Sequence, residues 1–399
     1  MTLRPVLVLA FPTLATTLLT APPLPAQETV QLSGEDRLLE ADFEELYRVG
    51  SMQGDHWDTF GLVVDVAFDE SGNLYVFDSH VTRFSVIGMA GNLVRQFGRV
   101  GEGPGEFGAR SAIVFTVLHD RRIAAFDPVR RHFVVFGPDG AYESQLPLGG
   151  TGTTWAVIPG LQADLGSGSV VSTGEVGYLG ATQGPDGEPV ERPGRYVMRY
   201  TVGGDGVAVD TAARGWKPPE DHEFSPGLSA GVLPDGGVAF VDSSAYAIKV
   251  AGQGGEVSRV LTRPIRAVPV TEDMRAAHID RELEDLQAMA DRGDETQKAM
   301  AEFLRAQLES TEFFHEVPVI RSLRTSPEGT IWVRRTGGEP GSNGPIDLIS
   351  MDGRYLGSFA PEATGLPSAF GPDGLVAFVE RNDLDVQTVI VRRLPKEIR

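Results

Sequence analysis

Residues 63–108 read VVDVAFDESGNLYVFDSHVTRFSVIGMAGNLVRQFGRVGEGPGEFG, and much of the chain repeats their grammar. VVDVAF ends at Glu70-Ser71-Gly72 and NLYVFD follows. RFSVIG ends at Met89-Ala90-Gly91-Asn92, and LVRQFG passes into a glycine-rich connection from Val100 to Gly108. Runs of this length rich in Val, Phe, Tyr and Ile, cut by Gly, Asn and Asp turns, are the signature of an antiparallel meander.

The first turn of that meander recurs along the chain. Glu70-Ser71-Gly72 leads into NLYVFD, Asp120-Arg121-Arg122 into IAAFD, and Gly166-Ser167-Gly168 into SVVST. Pro234-Asp235-Gly236 leads into GVAFVD, Pro327-Glu328-Gly329 into TIWVRR, and Pro372-Asp373-Gly374 into LVAFVE. From Gly72, Arg121, Gly168, Gly236, Gly329 and Gly374 the spacings are 49, 47, 68, 93 and 45. A second turn series follows the third strands at 89–92, 137–140, 203–206, 252–255 and 351–353. A period of about 40–50 residues carrying four strands marks the blades of a β-propeller. The two long spacings call for insertions, one the loop Gly174–Gly194 and the other the segment Thr271–Ser310.

The sixth unit has one further strand, Val386–Leu394, and then the sequence stops. Its outer strand is expected from the other end, at Asp42–Gly50 (DFEELYRVG), a closure that removes the last exposed sheet edge. The expected fold is therefore all-β: one six-bladed β-propeller over residues 27–399, built of four-stranded antiparallel blades. N- and C-terminal strands close the ring, and a helical hairpin is inserted at 271–310.

Blade one resembles an NHL-type repeat in Gly72–Asp78, Arg83–Val86 and the linker Phe97–Phe107. Members of that family usually carry Asn between the Asp and the Arg, where this chain has His80-Val81-Thr82. The resemblance covers the architecture of about residues 40–399. The family includes adaptor domains, lactonase-like hydrolases and an amidating lyase, so it implies a fold and leaves the activity open.

Composition adds an address and exclusions. Arg4, an apolar run from Val6 to Leu19 and Pro25-Ala26-Gln27 describe a secretory signal peptide over residues 1–26. Pro12 and several threonines interrupt a run too short for a span, which needs about 20 apolar residues. A secreted or periplasmic product with no membrane span after leader removal is expected. The chain has no cysteine, which excludes disulfides, thiolate metal sites and a lipid anchor at the leader junction. A net charge of −20 repels nucleic acid and anionic lipid. The 48 glycines and 27 prolines sit in turn-like places and favour short strands over long helices.

Within the insert, Thr271 can cap a first helix whose opening turn holds Glu272 and Asp273. Ile279, Leu283, Leu286 and Ala290 form its apolar stripe. Asp294-Glu295-Thr296-Gln297 reads as a capping box for a second helix with the stripe Met300, Phe303, Leu304 and Leu308. The hairpin is either a lid over one face of the ring or an insertion packed on its rim.

The chain lacks a zinc-type H-E-x-x-H, a P-loop and a G-x-S-x-G elbow, and its seven histidines are scattered. The repeats offer one constellation. Six residues past each turn marker stand Asp78, Asp127, Gly174, Asp242, Arg335 and Glu380. The four carboxylates Asp78, Asp127, Asp242 and Glu380 are the candidate ligands for Ca²⁺, which takes 6–8 oxygens. Such an ion polarises a carbonyl while a nearby carboxylate serves as general base. An Asp ending a strand can equally bond the backbone amides of the next turn, which every blade needs. Arg335 breaks the series, and either pairs with an acid or meets an anionic ligand. Arg110, Arg130, Arg131 and His132 form a small basic set, and Trp57, Tyr178 and Trp216 are candidate contact aromatics.

Two functions stand against each other. One is an exported, non-catalytic binding or scaffold module presenting its loops and central funnel to a protein, peptide or glycan. The other is a Ca²⁺-dependent hydrolase or lyase of the lactonase-like kind. A purely structural envelope component is not separable from the first by sequence.

Overall fold

The second strands dictate the architecture. Leu74–Asp78, Ile123–Asp127, Ser169–Ser172, Val238–Val241, Thr330–Thr336 and Leu375–Arg381 are apolar almost without alternation. A strand covered on both faces requires that pattern. Leu74 and Val76 pack towards one neighbouring sheet, Tyr75 and Phe77 towards the other. Sheets so clad on both sides stack face to face around a ring.

In the computed structural model, which describes residues 27–51, 57–148, 155–179, 194–204, 206–220, 222–308, 310–382 and 386–399, the ring has six four-stranded antiparallel blades. From the axis outward, blade one is Val63–Phe68, Leu74–Asp78, Arg83–Ile87 and Leu93–Phe97. Blade two is Val114–Val117, Ile123–Asp127, His132–Phe136 and Tyr142–Pro147. Blade three is Leu161–Asp164, Ser169–Ser172, Tyr196–Gly203 and Gly206–Arg214. Blade four is Ser229–Val232, Val238–Val241, Ala247–Ala251 and Val257–Thr262. Blade five is Ile320–Thr325, Thr330–Thr336, Asn343–Ser350 and Tyr355–Phe359. Blade six is Ala369–Phe370, Leu375–Arg381, Gln387–Arg393 and, as its outer strand, Glu44–Val49 from the amino end. The expected closure is present, with Glu44 paired to Arg393 and Val49 to Val389. The leader expected over residues 1–26 lies outside the described residues, and no described helix is long and apolar enough to cross a membrane.

The core is divided into wedges, one apolar cluster for each of the six blade interfaces. Between blades one and two, Phe84 lies 4.7 Å from Phe77 and 5.0 Å from Phe115, ring to ring. Each fully buried phenylalanine contributes roughly 1.5–3 kcal/mol. Side chains also stitch the inner strands together. Phe115 N–H donates to Asp65 (2.8 Å), Val232 N–H to Gln162 (2.9 Å) and Leu323 N–H to Ser229 (3.0 Å), so these edge groups find partners across blades.

The turn markers have a conformational cause. Gly72, Gly168, Gly236, Gly329 and Gly374 all have φ between +69° and +96°, a region glycine enters without strain. Arg121 holds the same place in blade two at φ +64°.

One feature has no antecedent in the repeats. Glu28–Gln31 adds a parallel fifth strand to the outer edge of blade four, and Leu38–Leu39 adds one to blade five. This strap is fastened at Arg263, whose buried guanidinium donates to Asp347 (2.8 Å), Asp36 (2.9 Å) and the Ser33 carbonyl (2.7 Å) and stacks over Tyr355. Burial works against the charged form of Arg263, but the two carboxylates hold it above its usual value.

The insert forms α1 (Glu272–Arg292) and α2 (Glu295–Leu308), with Thr271 accepting from Met274 N–H. Asp294 and Gln297 cap each other's backbone reciprocally. α1 has no buried residue, and in α2 only Ala301 is buried. The helices pack on each other, and His278 of α1 meets Phe224 and Phe313 at the hairpin's base.

Candidate functional site

The six inner strands surround a central channel. Its main cavity, about 250 Å³, is lined by residues of all six blades and extends to the turns that follow the inner strands, at Glu70, Leu165, Pro234, Pro327 and Pro372. A second cavity of about 230 Å³ lies towards the end where the inner strands begin. Thr173, Arg324 and Ser368 line both. The walls are largely aliphatic, with Val64, Val114, Leu161, Val232 and Phe370 contributing from five different blades.

Four charged side chains line the main cavity: Asp65, Asp69 and Glu70 from blade one and Arg324 from blade five. Asp69 accepts from Ser71 N–H, Asn73 N–H and the Asn73 amide, so it shapes its own turn. Asp65 accepts from Val66 N–H at 2.9 Å and Phe115 N–H at 2.8 Å. Burial pushes the Asp65 carboxyl up to about 7, against these two donors and the Arg324 charge, which pull it down. Arg324 opens onto the lumen, so its side chain is exposed there although channel walls surround it. That enclosure holds its pKa below the usual value, with Asp65 acting the other way. Among the described residues, none accepts a hydrogen bond from Arg324 or forms an ion pair with it.

The repeat column sits at the far ends of the second strands, and none of its members lines either cavity. Asp78 accepts from Gly61, Leu62 and His80 N–H at 2.9–3.0 Å. Asp127 accepts from Val129 and Arg130 N–H. Asp242 accepts from Trp216 N–H and from Lys249 Nζ at 2.7 Å. Gly174 bridges to Ser229. Glu380 is exposed, 3.7 Å from Arg392. Arg335 pairs with Asp36 of the strap at 2.5 Å and with Asp347 at 3.3 Å. The other candidates are also dispersed. Arg130 clamps the glycine-rich linker through the carbonyls of Glu106 and Gly101. His132 is buried against Gln145, and that burial lowers its pKa. Arg110 is exposed in a loop at φ +57°, and Arg131 adopts φ +58° in the turn after Asp127. Trp57 packs against the interface of blades six and one, Trp216 is exposed, and the side chain of Tyr178 lies outside the described residues.

No protein-family model matches the chain, and no curated protein is similar to it. Solved structures are. A candidate exported protein of Bacteroides fragilis is 13% identical over 92% of this chain and 100% of its own, at a TM-score of 0.49. A streptogramin B lyase is 12% identical over 88% and 98%, at 0.43. Regucalcin of Agrobacterium tumefaciens, a calcium-binding protein, is 14% identical over 92% and 97%, at 0.40.

The calcium considered for the column needs converging oxygens. Among the described residues, one group of three or more ligating side chains comes within reach of a common ion: Glu220, His222 and Glu312 at the hairpin's base, which includes no member of the column. His222 Nε2 lies 3.0 Å from both carboxylates, on an exposed surface. Asp78, Asp127, Asp242 and Glu380 therefore do not fit a shared calcium. Sequence reasoning passed over Asp65 and Arg324. Their signal was a charge interrupting an inner strand, the Asp in VVDVAF and the second Arg in IRSLRT.

Proposed function

We propose that the mature chain is an exported binding module of NHL-type blades, which takes part of a protein, peptide or glycan ligand into its central channel without reacting it. The observation that carries this reading is the channel itself, walled by all six blades and lined with aliphatic side chains around a few polar groups. Concave apolar cavities with a few oriented polar groups are the usual form of a ligand site. The leader-like residues 1–26 support the export, and the linker, in which Gly101 N–H donates to the Phe107 carbonyl and Phe107 N–H to the Arg99 carbonyl, supports the repeat type.

The test is a peptide and glycan array probed with the mature protein, from Gln27 onward, and with Val64→Trp, which narrows the lumen at an exposed lining residue. Saturable binding weakened at least about tenfold (about 1.4 kcal/mol) in the variant supports the channel. Equal binding by both proteins, or no saturable ligand, overturns it.

A further inference from the structure

We propose that the channel is a receptor for a carboxylate borne on an apolar stem, with Arg324 as the group that receives it; this rests on the channel being the ligand site.

A guanidinium offers five N–H donors in a planar fork that matches a carboxylate. Elsewhere in this protein, three enclosed arginines each meet at least two acceptors. Arg263 donates to two carboxylates and a carbonyl, Arg199 to Asp164, Ser169 and the Gly236 carbonyl, and Arg334 to the carbonyls of Gly344 and Thr364. Arg324 has no such acceptor among the described residues, yet it stands where the two cavities meet. Because Arg324 is exposed to the lumen, an anion that enters the channel can reach its donors directly. Bidentate pairing with a carboxylate answers that fork best.

Asp65 does not fill the role. It forms no ion pair with Arg324, and each of its oxygens accepts a backbone N–H. Asp69 is tied to its own turn, and Glu70 is exposed at the mouth. Blades two, three, four and six line the cavities with uncharged residues, and no histidine lines either. Walls of Val64, Val114, Leu161, Val232 and Phe370 ask for an apolar body beside the charge. A cavity of about 150 Å³ holds benzene, so one of about 250 Å³ admits an aryl or branched alkyl stem. That chemistry is shared by small arylalkanoic acids and by the carboxyl end of a peptide finishing in an apolar residue.

The full mature protein is titrated calorimetrically with 4-phenylbutyrate, 4-phenylbutanol, acetyl-Val-Phe and acetyl-Val-Phe-amide. Saturable binding is expected of at least one acid, at least about tenfold tighter than its neutral partner. Arg324→Met should abolish that preference and keep or raise the melting temperature, since the arginine holds no internal bond. Arg324→Lys, which retains charge without the fork, should recover part of it. The acids should bind more tightly at pH 6 than at pH 8, because Asp65, whose carboxyl is pushed up to about 7, gains its negative charge as pH rises across that range. Asp65→Asn should flatten the difference. Binding of both acids points to a free small acid, and binding of the peptide acid alone to a chain terminus.

Equal binding of acids and neutral partners, or acid binding unchanged by Arg324→Met, overturns the carboxylate assignment while leaving the channel a binding site. Absence of binding by all four probes overturns the assignment too, and the array then judges the channel independently.

Discussion

Arg121 occupies a left-handed turn position that glycine fills in the five other blades, at φ +64°. A side chain there costs roughly 1–2 kcal/mol relative to glycine, partly offset by the added freedom of an unfolded glycine. Arg121→Gly should stabilise the protein by about 0.5–1 kcal/mol, read as a shifted urea midpoint at unchanged slope. Asp65 gives a pH signature. Its folded pKa, about 7, lies above the unfolded value of about 3.9, so the folded state binds the extra proton between them. This contribution favours folding at low pH and is lost as pH rises through about 7. Wild type should lose stability relative to Asp65→Asn between pH 5 and pH 8, measured by urea denaturation at each pH. A variant deficit that stays constant would refute the assignment.

Among the elements, the two additions to the ring differ in what they bury. The hairpin of α1 and α2 leaves Leu283, Met300 and Phe303 exposed, and its stem is already joined by pairing of Val268–Pro269 with Glu316–Val317. Replacing 272–308 with a short polar loop should therefore change the stability of the ring by less than about 1 kcal/mol, because lengthening or shortening a surface loop costs little. A larger loss in calorimetry would mean that the hairpin braces the blades. The strap is different, since Asp36 bonds both Arg263 and Arg335. Burial raises the pKa of Asp36, but the two arginines lower it further. Its hold is thus present above the ordinary carboxylate range and lost as pH falls through the lowered value.

At the scale of the whole molecule, the ring was legible because each blade must cover its neighbour on both faces. That demand writes itself into LYVFD, IAAFD and LVAFVE as uninterrupted apolar runs and into the turns as glycines. The helices were legible from Thr271 and the Asp294–Gln297 box because caps are local. The strap was not, since ETVQ has no apolar face and meets its partner through parallel bonds to residues more than 200 positions away. Nor was the channel, because its charges come from strands that share no period. Asp78 shows the converse limit: its recurrence was visible, but that its oxygens go to Gly61, Leu62 and His80 was not. Deleting 27–49 removes the strap and the outer strand of blade six together. The shortened protein should then show a low-temperature step that the longer one lacks; the same melting profile for both would mean the remaining blades hold the circle.

The strand that shuts the circle is also synthesised before all six inner strands. Glu44 finds Arg393, 349 positions later. Until the last blade exists, EELYRV has no permanent partner, and its three charges make it a poor seed for aggregation during the wait. Joining ends so far apart is a slow event. The growing chain therefore remains an open arc until Gln387–Arg393 is available to pair, and only then becomes a disc.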